Sequence, residues 1–150
     1  NGCVGFDFTY DKAGRQAANA NQVIGGHINT CQIANRIYGT GNIFYGQVLE
    51  TVKTGYLLNL PPGRLNDASK GTSNDIIGCY TEYVDDVIEQ GHASCFVTAE
   101  LTMVTGYKQV FRHKSTRNCI VISPHEGKLP QNRSIVDRGI TFKRLDEIGK

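Results

Sequence analysis

Hydrophobic and polar residues alternate with period two from Cys3 to Thr9. Val4, Phe6 and Phe8 oppose Gly5, Asp7 and Thr9, which predicts a first strand. From Tyr10 to Ile24 the spacing changes: Ala13, Ala17, Ala20 and Ile24 recur at helical intervals behind Asp11 as a cap, and Gly25-Gly26 ends the segment. His27 to Gln47 is broken by Gly39, Gly41 and Gly46 and reads as loops with one strand near Ile43 to Leu49. A further strand covers Gln47 to Leu60, stopped by Pro61-Pro62-Gly63. The polar stretch from Gly63 to Asp75 reads as a surface loop. Asp75 to Gln90 then predicts a second helix, capped by Ser73 or Asn74, with Ile76, Ile77, Tyr80, Tyr83, Val84, Val87 and Ile88 on one face and Gly91 as its stop.

Strand periodicity returns at Cys95 to Val104, with Thr105-Gly106 read as a tight turn. A two-residue hairpin there sets Thr98 opposite His113 and Glu100 opposite Phe111, leaving Glu100 diagonal to His113. A second turn over Lys114 to Arg117 leads into Cys119-Ile120-Val121-Ile122, apolar on both faces as a central strand is. Ile140 to Lys143 supplies an edge strand. The pattern as a whole predicts an α+β fold: a central antiparallel sheet packed against an N-terminal helix, with a second helix near residues 75–90.

Composition narrows the class. A chain of 150 residues suffices for one domain, and 39% hydrophobic content with mixed charges describes a soluble globule. No apolar run approaches the roughly 20 residues of a membrane helix, so no membrane partner is expected. A net charge of +2 argues for no polyanionic partner by itself; the placement of the cations matters more. The five cysteines (Cys3, Cys31, Cys79, Cys95 and Cys119) lack metal-ligand spacing, so neither a metal nor another cofactor is expected. They fit one or two long-range disulfides in an oxidising compartment, or else reduced core positions. The start at Asn1, without a leader, suits a processed, secreted chain or an excised piece. The glycines of IYGTGN lack the offsets of a nucleotide-binding loop.

Candidate chemistry gathers between Tyr107 and Lys128. The segment KQVFRHKSTRNCIVISPHEG resembles the final hairpin of the small secreted fungal ribonucleases, guanyl-specific and sarcin-type, in which a strand opened by Arg is followed by a strand leading into the catalytic His. Gly55 to Pro61 is similar to the strand that carries the general-base Glu in that family. The resemblance implies RNA cleavage by 2′-hydroxyl attack, needing a base, an acid and a phosphate-neutralising cation. Carried over, the Glu position falls on Asn59, which is no base; the Arg position falls on Lys108, and the His position on Pro124 or, with a one-residue bulge, His125. An alternative catalytic set on the three-strand unit is Glu100, Lys108 and His125, while Arg112, His113, Lys114 and Arg117 form a basic cluster suited to RNA. Because the family positions are replaced or shifted, the resemblance points to the ribonuclease-like effectors of plant-pathogenic fungi. The expectation is a secreted, monomeric virulence effector that binds host RNA or a host protein, with a host immune receptor as a further partner. The alternatives are an active ribonuclease and a secreted β-rich ligand-binding or inhibitor protein, which leaves enzymatic activity open.

Overall fold

The computed structural model describes residues 2–10, 18–60, 72–92, 95–113, 119–122 and 140–143. They form eleven strands: β1 (Val4–Phe8), β2 (Gln22–Ile24), β3 (His27–Asn29), β4 (Ile33–Ile37), β5 (Asn42–Tyr45), β6 (Val48–Leu58), β7 (Thr72–Gln90), β8 (Cys95–Thr105), β9 (Gln109–His113), β10 (Cys119–Ile122) and β11 (Ile140–Lys143). Every pairing among them is parallel. No helix occurs among the described residues.

Parallel neighbours need a return connection, and here the chain provides it by coiling. Gln22 pairs with Ile43, His27 with Val48 and Ile33 with Thr54, so three separate pairings share an advance of 21 residues. The next coil advances 32, as Asn42 pairs with Asn74 and Val48 with Tyr80, and the following one 23, as Asp86 pairs with Gln109. Cys119 lies between Val97 and Ile140 and extends the stack. A constant advance shared by successive strands is the signature of a parallel β-solenoid, in which each coil contacts only its neighbours. Each full coil has three sides. The first side, S1, stacks β2, β5, the start of β7, the start of β8, β10 and β11. The second, S2, stacks β3, the start of β6, the middle of β7 and the end of β8. The third, S3, stacks β1, β4, the end of β6, the end of β7 and β9.

The corners explain how a strand turns without reversing. Between S1 and S2 stand Gly25, Gly46 and Gly78, with φ of 69°, 64° and 63°. Between S2 and S3 stand Thr30, Thr51, Tyr83 and Gly106, with φ between 51° and 60°. Between S3 and S1 stand Ala20 and Gly41, at 55° and 69°. One left-handed residue per corner, joined by Gly26 at φ 96° in the first, bends an extended chain into the next side, and the corners stack because the same register carries them from coil to coil.

The interior is filled by aligned rows. Asn35, Tyr56, Ile88 and Phe111 occupy one register row on S3 and are at most 2% exposed; Phe44, Ile76 and Ala99 do the same on S1, and Leu49, Thr81 and Val104 on S2. At the third corner three asparagines form a ladder. Asn21 donates its backbone and side-chain N–H to Asn42 Oδ1 at 3.1 and 3.0 Å, Asn42 does likewise to Asn74 Oδ1 at 3.0 Å each, and Asn74 Nδ2 donates to the Gly39 carbonyl at 3.2 Å. Deeper inside, Gln47 joins Asn35 through paired amide bonds of 3.2 and 3.3 Å and accepts from the Tyr56 hydroxyl at 3.0 Å. Burying these polar groups costs little because each has found its partner.

This architecture overturns the expected α+β fold. The segment predicted as a helix over Asp75 to Gln90 lies inside the longest strand, β7. Its apolar spacing imitates a helix because the corners at Gly78 and Tyr83 shift the phase of a period-two pattern, so residues from different sides fall at helical intervals. The N-terminal helix is contradicted where it is described, since Gln22 to Ile24 is strand and Tyr10 and residues 18–21 are not helical; residues 11–17 of that prediction lie outside the described residues. The three-strand antiparallel unit is absent too. β8 pairs in parallel with β7 and β10, while β9 pairs with β7, so Thr105-Gly106 bends the chain around a corner and does not reverse it. The strands themselves were correctly placed at β1, β6, β8, β10 and β11; their partners were not.

Candidate functional site

Among the described residues, the outer surface of S2 gathers a histidine, an asparagine, two glutamates and a tyrosine on successive coils. Alternation along β3, β6 and β7 turns Ile28, Leu49 and Thr81 inward, so the residues on either side of each face out: His27 and Asn29, Val48 and Glu50, Tyr80 and Glu82. Glu50 and Glu82 are register partners, stacked at the strand spacing of about 4.8 Å. His27 Nε2 lies 3.0 Å from Glu50 Oε2, and Asn29 Nδ2 donates to the same oxygen at 3.3 Å. On the next coil the Tyr80 hydroxyl donates to Glu82 Oε2 at 2.6 Å. That bond raises the Tyr80 pKa above the ordinary phenol value, since losing the proton would break it and set a phenolate against a carboxylate.

The adjoining corner adds an aromatic platform. Tyr83 is 63% exposed, and its ring lies against Gly106 of the following coil so closely that a side chain at 106 would run into ring atoms Cδ1 and Cε1. Glycine there has two uses: it takes the positive φ of 60° and leaves room for the ring. The result is a flat polar strip over three successive coils, bordered by a tyrosine lying on its neighbour. Such a strip offers carboxylate and amide acceptors and donors at a regular spacing, with an aromatic face beside them. This is the chemistry that holds hydroxyl-rich rings, whose C–H faces pack on an aromatic while their hydroxyls share hydrogen bonds with planar polar groups. Among the described residues no group of three His, Cys, Asp or Glu is placed to hold a metal ion.

The residues singled out from the sequence are dispersed. Glu100 stands on the outer row of S1, between Ile77 and Ile122 in register. Lys108 and Arg112 belong to S3, where Lys108 Nζ meets Asp85 at 2.6 Å and Arg112 meets Asp86 at 3.1 Å, each acid lying on the preceding coil. Gln109 Nε2 also donates to Asp86 at 2.6 Å. His113 pairs in register with Gln90, away from Glu100. Lys114, Arg117, Pro124 and His125 lie outside the described residues. The structure therefore does not bring Glu100 and Lys108 together. Lys108 and Arg112 thus both bond to acids, as Arg36 does with Asp7 through Nε at 3.0 Å on the same side. Asn59, at the family's Glu position, turns its Oδ1 to the Leu60 amide at 2.9 Å.

Sequence reasoning missed His27, Asn29, Glu50, Tyr80 and Glu82 as a group. The signal that collects them is a repeat: Asn21 to Thr30 (NQVIGGHINT), Asn42 to Thr51 (NIFYGQVLET) and Asn74 to Tyr83 (NDIIGCYTEY) align with Asn at the first position, Gly at the fifth and Asn or Glu at the ninth. Position nine is the outward row of S2. Comparison with family models, with curated proteins and with solved structures finds no match to this chain.

Proposed function

We propose that this chain is a glycan-binding β-solenoid whose S2 face docks an extended, neutral polysaccharide. The observation that carries the reading is the exposed Tyr83 ring, packed against Gly106 beside the stacked Glu50 and Glu82. A polymer with regularly repeating hydroxyls matches a surface whose polar groups repeat at the strand spacing. The charge of the strip selects among polymers. Glu50 and Glu82 repel a polyanion, and His27 is already engaged with Glu50, so a neutral chain is favoured over RNA on this face. The ribonuclease-like reading had rested on an antiparallel scaffold that the described residues do not form, and Lys108 and Arg112 spend their charge on Asp85 and Asp86.

Affinity electrophoresis of the full chain through gels containing neutral xylan, mannan or β-glucan tests this directly. At least one polymer should retard the protein, and Tyr83→Ala or Glu82→Gln should weaken that retardation about tenfold, as loss of a central contact does. A Lys108→Ala/Arg112→Ala chain should migrate as the parent does. The proposal is overturned if no neutral polysaccharide retards the protein, or if Tyr83→Ala is retarded as strongly as the parent. Retention of total RNA that disappears in the Lys108/Arg112 variant would return the function to RNA. Reducing sugar released from the retarding polymer, and lost in Glu50→Gln, would extend binding to hydrolysis, which in retaining enzymes uses paired carboxyl groups about 5 Å apart.

A further inference from the structure

Away from the S2 strip, two thiols meet where the chain first stacks on itself. Among the described residues, β1 is the outermost strand of S3 and pairs with β4 alone. Just before it, the Cys3 carbonyl accepts from the amides of Gln32 and Ile33, both at 3.1 Å. Cys3 thus lies across from Gln32 and one step from Cys31. With strands about 4.8 Å apart and a rise of about 3.3 Å per residue, such a diagonal pair has its Cα atoms about 6 Å apart, inside the range a disulfide spans. In a regular strand, neighbouring positions face opposite ways. Cys31, however, follows the left-handed corner residue Thr30 and precedes β4, where the alternation is interrupted. Both cysteines carry free thiols in this structure, Cys3 exposed and Cys31 half-buried. Burial, and after it the neighbouring Cys3, raise the Cys31 pKa.

Both cysteines line one cavity of about 410 Å³, open to solvent, whose lining also includes Thr30, Gln32, Lys53 and Asp85. A small disulfide can approach from solvent, and the Lys53 ammonium offers a partner for one of its carboxylates.

We infer that Cys3 and Cys31 are a reversible disulfide site that staples the outermost strand to the next coil, with a small acidic disulfide such as oxidised glutathione as its oxidant. Cys3, the exposed member, attacks as thiolate on one sulfur of glutathione disulfide and displaces a glutathione thiolate. Cys31 then attacks the Cys3 sulfur of the mixed disulfide and displaces the second glutathione. One protein S–S bond forms, one glutathione S–S bond breaks, and the electron pair resides on two reduced glutathiones, which also take up the two thiol protons. Cys79 and Cys95, exposed by 0% and 1%, take no part.

Incubating the folded chain in glutathione buffers of increasing oxidised fraction, trapping with an alkylating reagent and mapping peptides by mass spectrometry tests this. The expected product is a Cys3–Cys31 linked peptide that returns to two alkylated thiols in reducing buffer, with Cys79 and Cys95 unlinked throughout. The linked protein should also unfold at higher denaturant than the reduced one, a difference that Cys31→Ser abolishes. Cys31→Ser should stop at a Cys3–glutathione adduct. The inference fails if the parent chain also stops at that adduct, if either cysteine links to Cys119, or if both stay alkylatable in the most oxidising buffer.

Discussion

The corners of the solenoid adopt one backbone conformation by two different means. Between S1 and S2 the left-handed residue is glycine in three successive coils: Gly25, Gly46 and Gly78. Between S2 and S3 the same conformation is imposed on Thr30, Thr51 and Tyr83, and only the fourth coil relaxes to Gly106. A left-handed conformation costs a side-chain-bearing residue about 1–2 kcal/mol, and a β-branched one most of all. The first corner avoids that cost, while the second carries it on three coils directly beside Asn29, Glu50 and Glu82. Strain retained where glycine would serve is commonly found next to a working surface. The third corner shows a further solution, in which Ala20 and Gly41 turn beside an asparagine ladder that ties the coils through side chains.

Breaking the ladder has the largest expected effect. Asn42→Ala removes the acceptor of two Asn21 donors and one of the donors to Asn74, and should cost about 2–3 kcal/mol in chemical denaturation. Next comes Gly46→Ala at the first corner. Nothing lies within 4 Å of the added methyl, so the whole loss, about 1–2 kcal/mol, would be conformational. A loss near zero would remove the distinction between the two corners.

Tyr56→Phe asks whether the first corner is also held from within, because Gln47 follows Gly46 directly and accepts from the Tyr56 hydroxyl. The expected loss is about 1 kcal/mol at neutral pH. Burial holds the Tyr56 pKa well above the ordinary phenol value. The folded chain therefore keeps that proton more tightly than the unfolded chain. The associated stability is complete below about pH 10 and declines as the pH rises further, so the alkaline decline should be shallower in Tyr56→Phe.

The smallest effect is expected from Thr51→Gly, which relieves the left-handed threonine but adds freedom to the unfolded chain, for a net gain within about 1 kcal/mol. Its polysaccharide retardation is the more telling measurement. If the protein gains stability and loses retardation, the strained corner supports the face; if both stay unchanged, the threonines are merely tolerated.

These corners also explain what was visible in the sequence and what was not. Period-two alternation marks strands whatever their partners, so Val4–Phe8, Val48–Leu58 and Cys95–Thr105 stand out from the sequence alone. A Thr-Gly pair marks a left-handed residue, yet the same residue serves a hairpin that reverses and a corner that bends. Direction is decided by the next strand's register, which lies 21 to 32 residues away and not across the turn. The candidate site was hidden for a related reason. His27, Glu50 and Glu82 belong to one face only through the coil repeat, and the longer advance between the second and third copies obscures that repeat, as does Tyr83 in place of threonine. Lys108 and Arg112 were recognisable as surface cations, but their acidic partners on the preceding coil were not.

The unequal advance has a consequence of its own. Asn42 and Asn74 meet in register although 32 residues separate them, whereas 21 separate Asn21 from Asn42. The pairs on either side of that step keep one offset, Val48 with Tyr80 and Leu58 with Gln90, so the longer advance displaces no described rung. Vertical spacing among the described strands is thus independent of the length of chain between rungs. The strands act as the graduations of a ruler, which stay aligned whatever distance along the sequence separates one from the next.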